Sequence, residues 1–418
     1  MKKAIKNVVG HASSIKQVAV IGAGNMGLQI SAQLVNAGVT CMLFDINTVE
    51  DIKNDILKAS KVKPAIFSDN SFIDRIKIYN LTDNIKSLLQ ADLIIEAVSE
   101  DLKIKTKLYK KIRKYIADHA IIATNTSGLS INSLSKVLPI GKNIDLKSRF
   151  LGIHFFNPPR YLPLVEVIAS EHTDKTILDI CEEFLAINLG KSVVRAKDTP
   201  NFIANRIAIG SWCLTINLAD KYNIPFEILD NLTGKLLGRP KSATLRTADI
   251  VGLDILSEVI KNSHKIGKTE PLYNILKIPD WMQDLINLGS LGQKTKQGIY
   301  LKNSSDNSLY IWDRAQKKHV LLDKDESKSI LDPSVLKVLK NNKKNISWKT
   351  KFDLLNALDF KQHPQAGFIV DLLVQTYKYA KQIANDISYN IKDIDRVLRN
   401  GFGWEIGIFE LAAQAEIS

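Results

Sequence analysis

The first half of the chain alternates short, wholly apolar runs with stretches in which apolar residues recur every three or four positions. The first unit is the most complete. Val18-Ala19-Val20-Ile21 has the texture of a strand buried on both faces of a parallel sheet. A helical pattern follows, with Met26, Ile30, Leu34 and Ala37 on one face and Gly38 closing it. Val39 to Phe44 then reads as a second strand that ends in Asp45. Further along, the pattern predicts a helix over 47–60, strands at Ile76–Tyr79, Leu93–Ile95 and Ala120–Thr124, and a charged helix over 101–118. No element is predicted for the polar segment between that first helix and Asn70. Arg149–Phe156, Leu164–Ile168 and Val193-Val194 add three more strands, the first two separated by the turn at Asn157-Pro158-Pro159.

Beyond Lys197-Asp198-Thr199-Pro200 only the helical period remains, beginning with Phe202, Ile203, Ile207 and Trp212. The helical part repeats itself. Asn201-Phe202-Ile203 resembles Gly367-Phe368-Ile369, and the stretch from Ile224 to Asp230 lines up with Ile391 to Val397. A polar, strand-poor connector over 303–364 separates the two copies, and the second reads as partial. The expected fold is therefore an α/β extended Rossmann domain followed by an all-α helical domain with a second, partial helical copy. The expected boundaries are 1–197, 198–302, 303–364 and 365–418.

Gly22, Gly24 and Gly27 fall between the first strand and its helix at G-x-G-x-x-G spacing. Such glycines let the backbone approach a pyrophosphate at a helix N-terminus, where Asn25 and Met26 lie. Asp45 stands where a carboxylate would accept from an adenosine ribose and repel a 2′-phosphate, which favours NAD over NADP. FAD uses the same fingerprint, so the pattern by itself leaves that choice open.

Composition narrows the partners. The net charge of +13 suits an anionic partner, and a substrate bearing polyphosphate fits it. The lysines are dispersed among acids, against a nucleic-acid stripe, and abundant Lys, Asn and Ile also follow from an AT-rich genome. Cys41, Cys181 and Cys213 are far apart, which argues against disulfides and a zinc site. The first fifteen residues contain no continuous apolar stretch of the signal-peptide kind, and no apolar run is long enough to span a membrane. These observations predict a soluble cytoplasmic protein.

Several polar residues stand at strand ends, where such sheets bind ligands. His154, near the end of its strand, can take a proton from a hydroxyl as hydride leaves the same carbon. Glu166, on the returning strand, can orient it; a core histidine and an unrelated edge glutamate are the plainer alternative. Ser127 can hold the reacting oxygen or simply cap a turn. Asn205 can aim its amide at a substrate or cap a neighbouring loop, and Glu100, Lys103 and Lys105 can line the cofactor edge or form a solvated face.

Taken together, these motifs resemble the 3-hydroxyacyl-CoA dehydrogenases of fatty-acid β-oxidation. The resemblance runs through VAVIGAGNMG, EAVSEDLKIK, NTSGLS, GIHFFNPP, LVEVI, DTPNFIANR, TADIVGLD and GQKTKQGIY, in order over about residues 17–302 and more weakly over 365–415. It implies a catalytic pair at His154 and Glu166, with Ser127 and Asn205 hydrogen-bonding the substrate oxygens. It also implies cofactor contacts at Glu100 and Lys105, Asp45 as the ribose acid, and NAD as the cofactor. An acyl-CoA substrate and a homodimer, or a separate enoyl-CoA hydratase chain, are the partners it suggests, with the first helical copy as the substrate and dimerisation domain. The chain looks most like long bacterial forms with two helical copies, here truncated and without a hydratase domain. One half of a split multifunctional protein, or a catalytically impaired NAD-binding remnant, is the alternative.

Overall fold

The computed structural model describes residues 12–138, 146–340 and 346–418; the leader reading of the first fifteen residues lies mostly outside them. Two compact units divide at Phe202 and Ile203.

In the first unit, each apolar run becomes a strand and each periodic stretch a helix. In chain order the elements are β1 (Gln17–Ile21), α1 (Asn25–Asn36), β2 (Thr40–Asp45), α2 (Val49–Ser60), β3 (Ile76–Asn80), β4 (Leu93–Glu96), α3 (Leu102–Ile112), β5 (Ile121–Thr124), α4 (Ile131–Lys136), β6 (Phe150–Phe155), β7 (Leu164–Ala169), α5 (Lys175–Glu183) and β8 (Ser192–Ala196). They form one eight-stranded sheet, ordered β3-β2-β1-β4-β5-β6-β7-β8. Only β6 and β7 pair antiparallel, as the Asn157-Pro158-Pro159 turn allows. The core lies between this sheet and its helices; Val18, Val20, Ile95, Ile121 and Ile153 are fully buried. Strand order reverses between β1 and β4, so their carboxyl ends open a crevice of the kind that binds ligands.

Two expectations change here. The charged helix stops at Ile112 instead of 118, because Ile116 turns extended and buries its side chain. The boundary placed at 198 moves to Ile203, because 198–202 is anchored in the first unit. Asp198 accepts hydrogen bonds from Ser130 Oγ and from the Ile131 and Asn132 amides, while Phe202 packs near the His154 ring.

The second unit contains α6 (Ala204–Lys221), α7 (Phe226–Thr233), α8 (Leu245–Val251), α9 (Leu253–His264), α10 (Asp280–Asn287), β9 (Tyr300–Lys302), β10 (Leu309–Asp313), β11 (Lys318–Leu321), α11 (Lys324–Ser329), α12 (Pro333–Leu339), α13 (Trp348–Asn356), α14 (Pro364–Ile387), α15 (Ile391–Phe402) and α16 (Ile408–Ala415). The strand-poor connector is a correction. β9, β10 and β11 form an antiparallel sheet, with Ile311 and Trp312 buried, so the segment after 302 carries two strands, β10 and β11.

The two helical copies face each other. Tyr379 of α14 fits against Gly210 of α6, where a Cβ would overlap its ring, and Tyr222 lies 2.6 Å from the Cβ position of Gly367. Matching carboxylates cap the next helices. Asp230 accepts from the amides of Thr244, Leu245 and Arg246, and Asp395 from those of Phe409 and Glu410. Gly238 and Gly403 then take nearly the same left-handed conformation, at φ 65° and 66°. These equivalences pair Asp230 with Asp395, two residues away from the alignment that set Ile224 against Ile391.

Candidate active site

The glycine loop joins β1 to α1 at the crevice. Gly22 holds φ +110°, and a Cβ there would stand 2.7 Å from the Ala97 carbonyl oxygen. At Gly27 a Cβ would overlap the Gly22 carbonyl oxygen, so this residue sets the close seating of α1 on the loop. Gly24 differs: nothing lies within 4 Å of its Cβ position. It also caps α1 without a side-chain bond to the first-turn amides. Asp45, half-buried at the end of β2, accepts from the Ala23 amide at 2.6 Å and the Asn47 amide at 3.1 Å. An open cradle of amides with a carboxylate beside it fits a dinucleotide.

At the end of β4, Glu96 is wholly buried and shared by four donors. Oε1 receives the Val98 amide at 2.8 Å and Lys105 Nζ at 2.6 Å. Oε2 receives the Tyr109 hydroxyl at 2.9 Å and Thr124 Oγ1 at 2.8 Å. Burial, together with the adjacent Glu96 charge, pushes the Tyr109 phenol well above its ordinary range, so it stays a donor. Lys105 is 1% exposed and lies 3.6 Å from Glu100 Oε2. The solvated-face reading therefore fails for Lys105, while Lys103 keeps it.

Glu100 in turn organises the loop after β5. Its Oε1 accepts from Thr126 Oγ1 at 2.5 Å, the Ser127 amide at 2.9 Å, the Gly128 amide at 3.1 Å and Ser127 Oγ at 3.3 Å. Partial burial opposes ionisation of Glu100, but the Lys105 ammonium and these bonds outweigh it and hold the carboxyl below the usual range. Ser127 is half-buried, with its hydroxyl beside this anion.

The antiparallel register of β6 and β7 sets His154 directly opposite Glu166. His154 Nδ1 lies 2.8 Å from Glu166 Oε2, with the two side chains 7% and 0% exposed. Phe156 packs on the imidazole at 4.4 Å between ring centroids. With Nδ1 engaged by a carboxylate, Nε2 is the nitrogen left to exchange a proton. Asn125 links the neighbouring strand ends by accepting from the Phe155 amide at 2.9 Å. Asn157, just past β6, accepts from Gln29 of α1 at 2.6 Å. The first unit thus brings His154 to Glu166, and Ser127 to Glu100 and Lys105. Asn205 is half-buried in the first turn of α6, in the second unit.

A sequence model described as the NAD binding domain of 3-hydroxyacyl-CoA dehydrogenase matches residues 17–199, and that of the C-terminal domain matches 202–302. The chain belongs to the 3-hydroxyacyl-CoA dehydrogenase family. A probable 3-hydroxyacyl-CoA dehydrogenase of Deinococcus radiodurans is 39% identical over 298 residues, 70% of this chain and 84% of that protein. One from Bacillus subtilis is 34% identical over 419 residues, and there 95% of this chain spans 50% of the relative's length. A crystal structure of 3-hydroxybutyryl-CoA dehydrogenase from Escherichia coli shares the fold at TM-score 0.63 and 20% identity, covering 96% of this chain and 92% of that one. The NAD binding domain of the family settles the choice the glycine pattern leaves between NAD and FAD. Among the described residues no helix is long and apolar enough to cross a membrane.

Sequence reasoning missed Glu96 as a hub and Asp198 as an anchor. The signal for Glu96 was present: an acid closes the apolar run Leu93-Ile94-Ile95, as Asp45 closes β2.

Proposed function

We propose that this chain oxidises a (S)-3-hydroxyacyl-CoA to the 3-oxoacyl-CoA, and the observation that carries the proposal is the buried His154–Glu166 pair facing across β6 and β7. His154 Nε2 takes the substrate hydroxyl proton. Glu166 holds the ring through Nδ1 and stabilises the imidazolium that forms. Ser127 would turn its hydroxyl from Glu100 to the reacting oxygen while its amide stays on Glu100, and Asn205 is assigned the second donor on the family resemblance. Gly22, Gly24, Gly27, Asn25, Met26 and Asp45 would hold the dinucleotide, with Glu100 and Lys105 as further cofactor contacts assigned on the family resemblance. Bound there, NAD⁺ supplies the acceptor for the hydride leaving C3. The stereochemistry rests on the resemblance alone.

The partners we infer follow the same reading. A separate enoyl-CoA hydratase would supply the hydroxyacyl ester by adding water across a double bond. A homodimer would use a surface other than the part of α6 around Gly210, which Tyr379 of α14 occupies. A reducing, cytoplasmic setting is supported by three buried free thiols, Cys41, Cys181 and Cys213.

The direct test is NADH oxidation by the purified chain with acetoacetyl-CoA, beside acetoacetate without the CoA moiety. Turnover confined to the thioester is the expected result. Equal use of the free acid would overturn the substrate class, and no use of either would overturn the activity.

A further inference from the structure

At the end of β4 the carboxylate of Glu96 is 0% exposed, yet it faces no open space in which to meet a ligand. Its two oxygens are filled by Val98, Lys105, Tyr109 and Thr124. A buried ion pair gains little net stability over well-packed apolar residues, so stability alone is a poor reason for this cluster. The arrangement beyond it is more informative. Charges alternate outward from the core: Glu96, then Lys105 at 2.6 Å, then Glu100 at 3.6 Å, then the Thr126, Ser127 and Gly128 donors.

We propose that Glu96 is a positioning residue for the Ser127 loop, acting through Lys105 and Glu100. It rests on the reading of Ser127 as the group that meets the substrate oxygen. Lys105, 1% exposed, is held between the two carboxylates, and its short bond to Glu96 fixes the ammonium where it faces Glu100. That charge keeps Glu100 an anion, the form that accepts most strongly from the loop donors gathered on its Oε1. The ionisable groups around Glu100 in this cluster are Lys105 of α3, Glu96 of β4 and Tyr109 of α3; Thr126 and Ser127 add hydroxyls. Without Glu96 the ammonium loses its fixed place beside Glu100, Glu100 becomes easier to protonate, and the loop relaxes as pH falls.

The experiment compares wild type, Glu96→Gln, Lys105→Met and the double variant. NADH affinity by fluorescence and acetoacetyl-CoA turnover are each followed against pH. The expected result is a loss of affinity and turnover on the acid side that begins about one pH unit higher in both single variants. The double variant is expected to match Lys105→Met with no further shift, because Glu96 acts through that lysine. Lys105→Met also lowers affinity at every pH if the amine meets the cofactor, which changes the level and leaves the midpoint as the readout. Should Glu96→Gln fail to fold, the double variant carries the test, since it leaves no buried cation unpaired. A lower melting temperature with an unmoved acid midpoint, or additive shifts in the double variant, would overturn the proposal. Wild type that binds NADH but turns over no acyl-CoA would sink the functional reading, while the binding curves still decide the role of Glu96.

Discussion

Asp45 does two things with one carboxylate. It accepts from the Ala23 amide and so shapes the glycine loop, and it presents negative charge at the end of β2. Asp45→Ala should weaken NADH binding about tenfold and narrow the preference for NADH over NADPH, because both the loop bond and the repulsion of a 2′-phosphate go. Paired fluorescence titrations check this, and an unchanged preference would remove Asp45 from the ribose site. This position was legible because strand, glycines and terminal acid form one local unit. His154 and Glu166 were legible as residue types, but their pairing depends on the β6–β7 register, which sequence spacing does not specify. Glu96 was hidden for a related reason: its four donors come from β5, α3 and its own loop, and only folding brings them together.

At the scale of elements, Asp249 explains why TADIVGLD and GQKTKQGIY occur together. From α8 it accepts from the amides of Ile299 and Tyr300, tying the last strand of the first copy to that helix. Burial pushes its carboxyl up to about 6, against the bonds from Tyr300 and Ile299 that favour ionisation. Its unfolded value is near 4. Between about pH 4 and 6 the folded chain therefore keeps a proton that the unfolded chain has lost, and the contribution of this residue to stability declines as pH rises. Asp249→Asn should flatten that slope, measured by urea unfolding across the window. Identical slopes would show that Asp249 titrates normally. The sheet of β9, β10 and β11 was not legible, because Leu309-Tyr310-Ile311-Trp312 is too short to separate from a helix segment among polar residues.

For the whole molecule, the second helical copy is the feature that changes most from expectation to structure. The repeat was visible in its apolar texture, yet its register slipped by two residues. The true equivalence is set by capping carboxylates and a left-handed glycine, Asp230 with Gly238 and Asp395 with Gly403, and not by matching apolar positions. What joins the copies is the seating of Tyr379 on Gly210. Tyr379 is 1% exposed, so Tyr379→Ala should cost about 3–5 kcal/mol in chemical denaturation. Gly210→Val should destabilise strongly in the native background and much less alongside Tyr379→Ala, where the added methyls enter the vacated space. Simple additivity of the two changes would contradict this packing.

In this reading the first unit binds the dinucleotide through its glycine loop and moves the proton through His154. His154→Gln separates these two tasks within one chain. The expected outcome is NADH binding within about twofold of wild type and acetoacetyl-CoA turnover lower by about 10²–10⁴. Turnover retained at the wild-type level would contradict it, and so would NADH binding and turnover lost together, since His154 would then be a structural residue of the sheet.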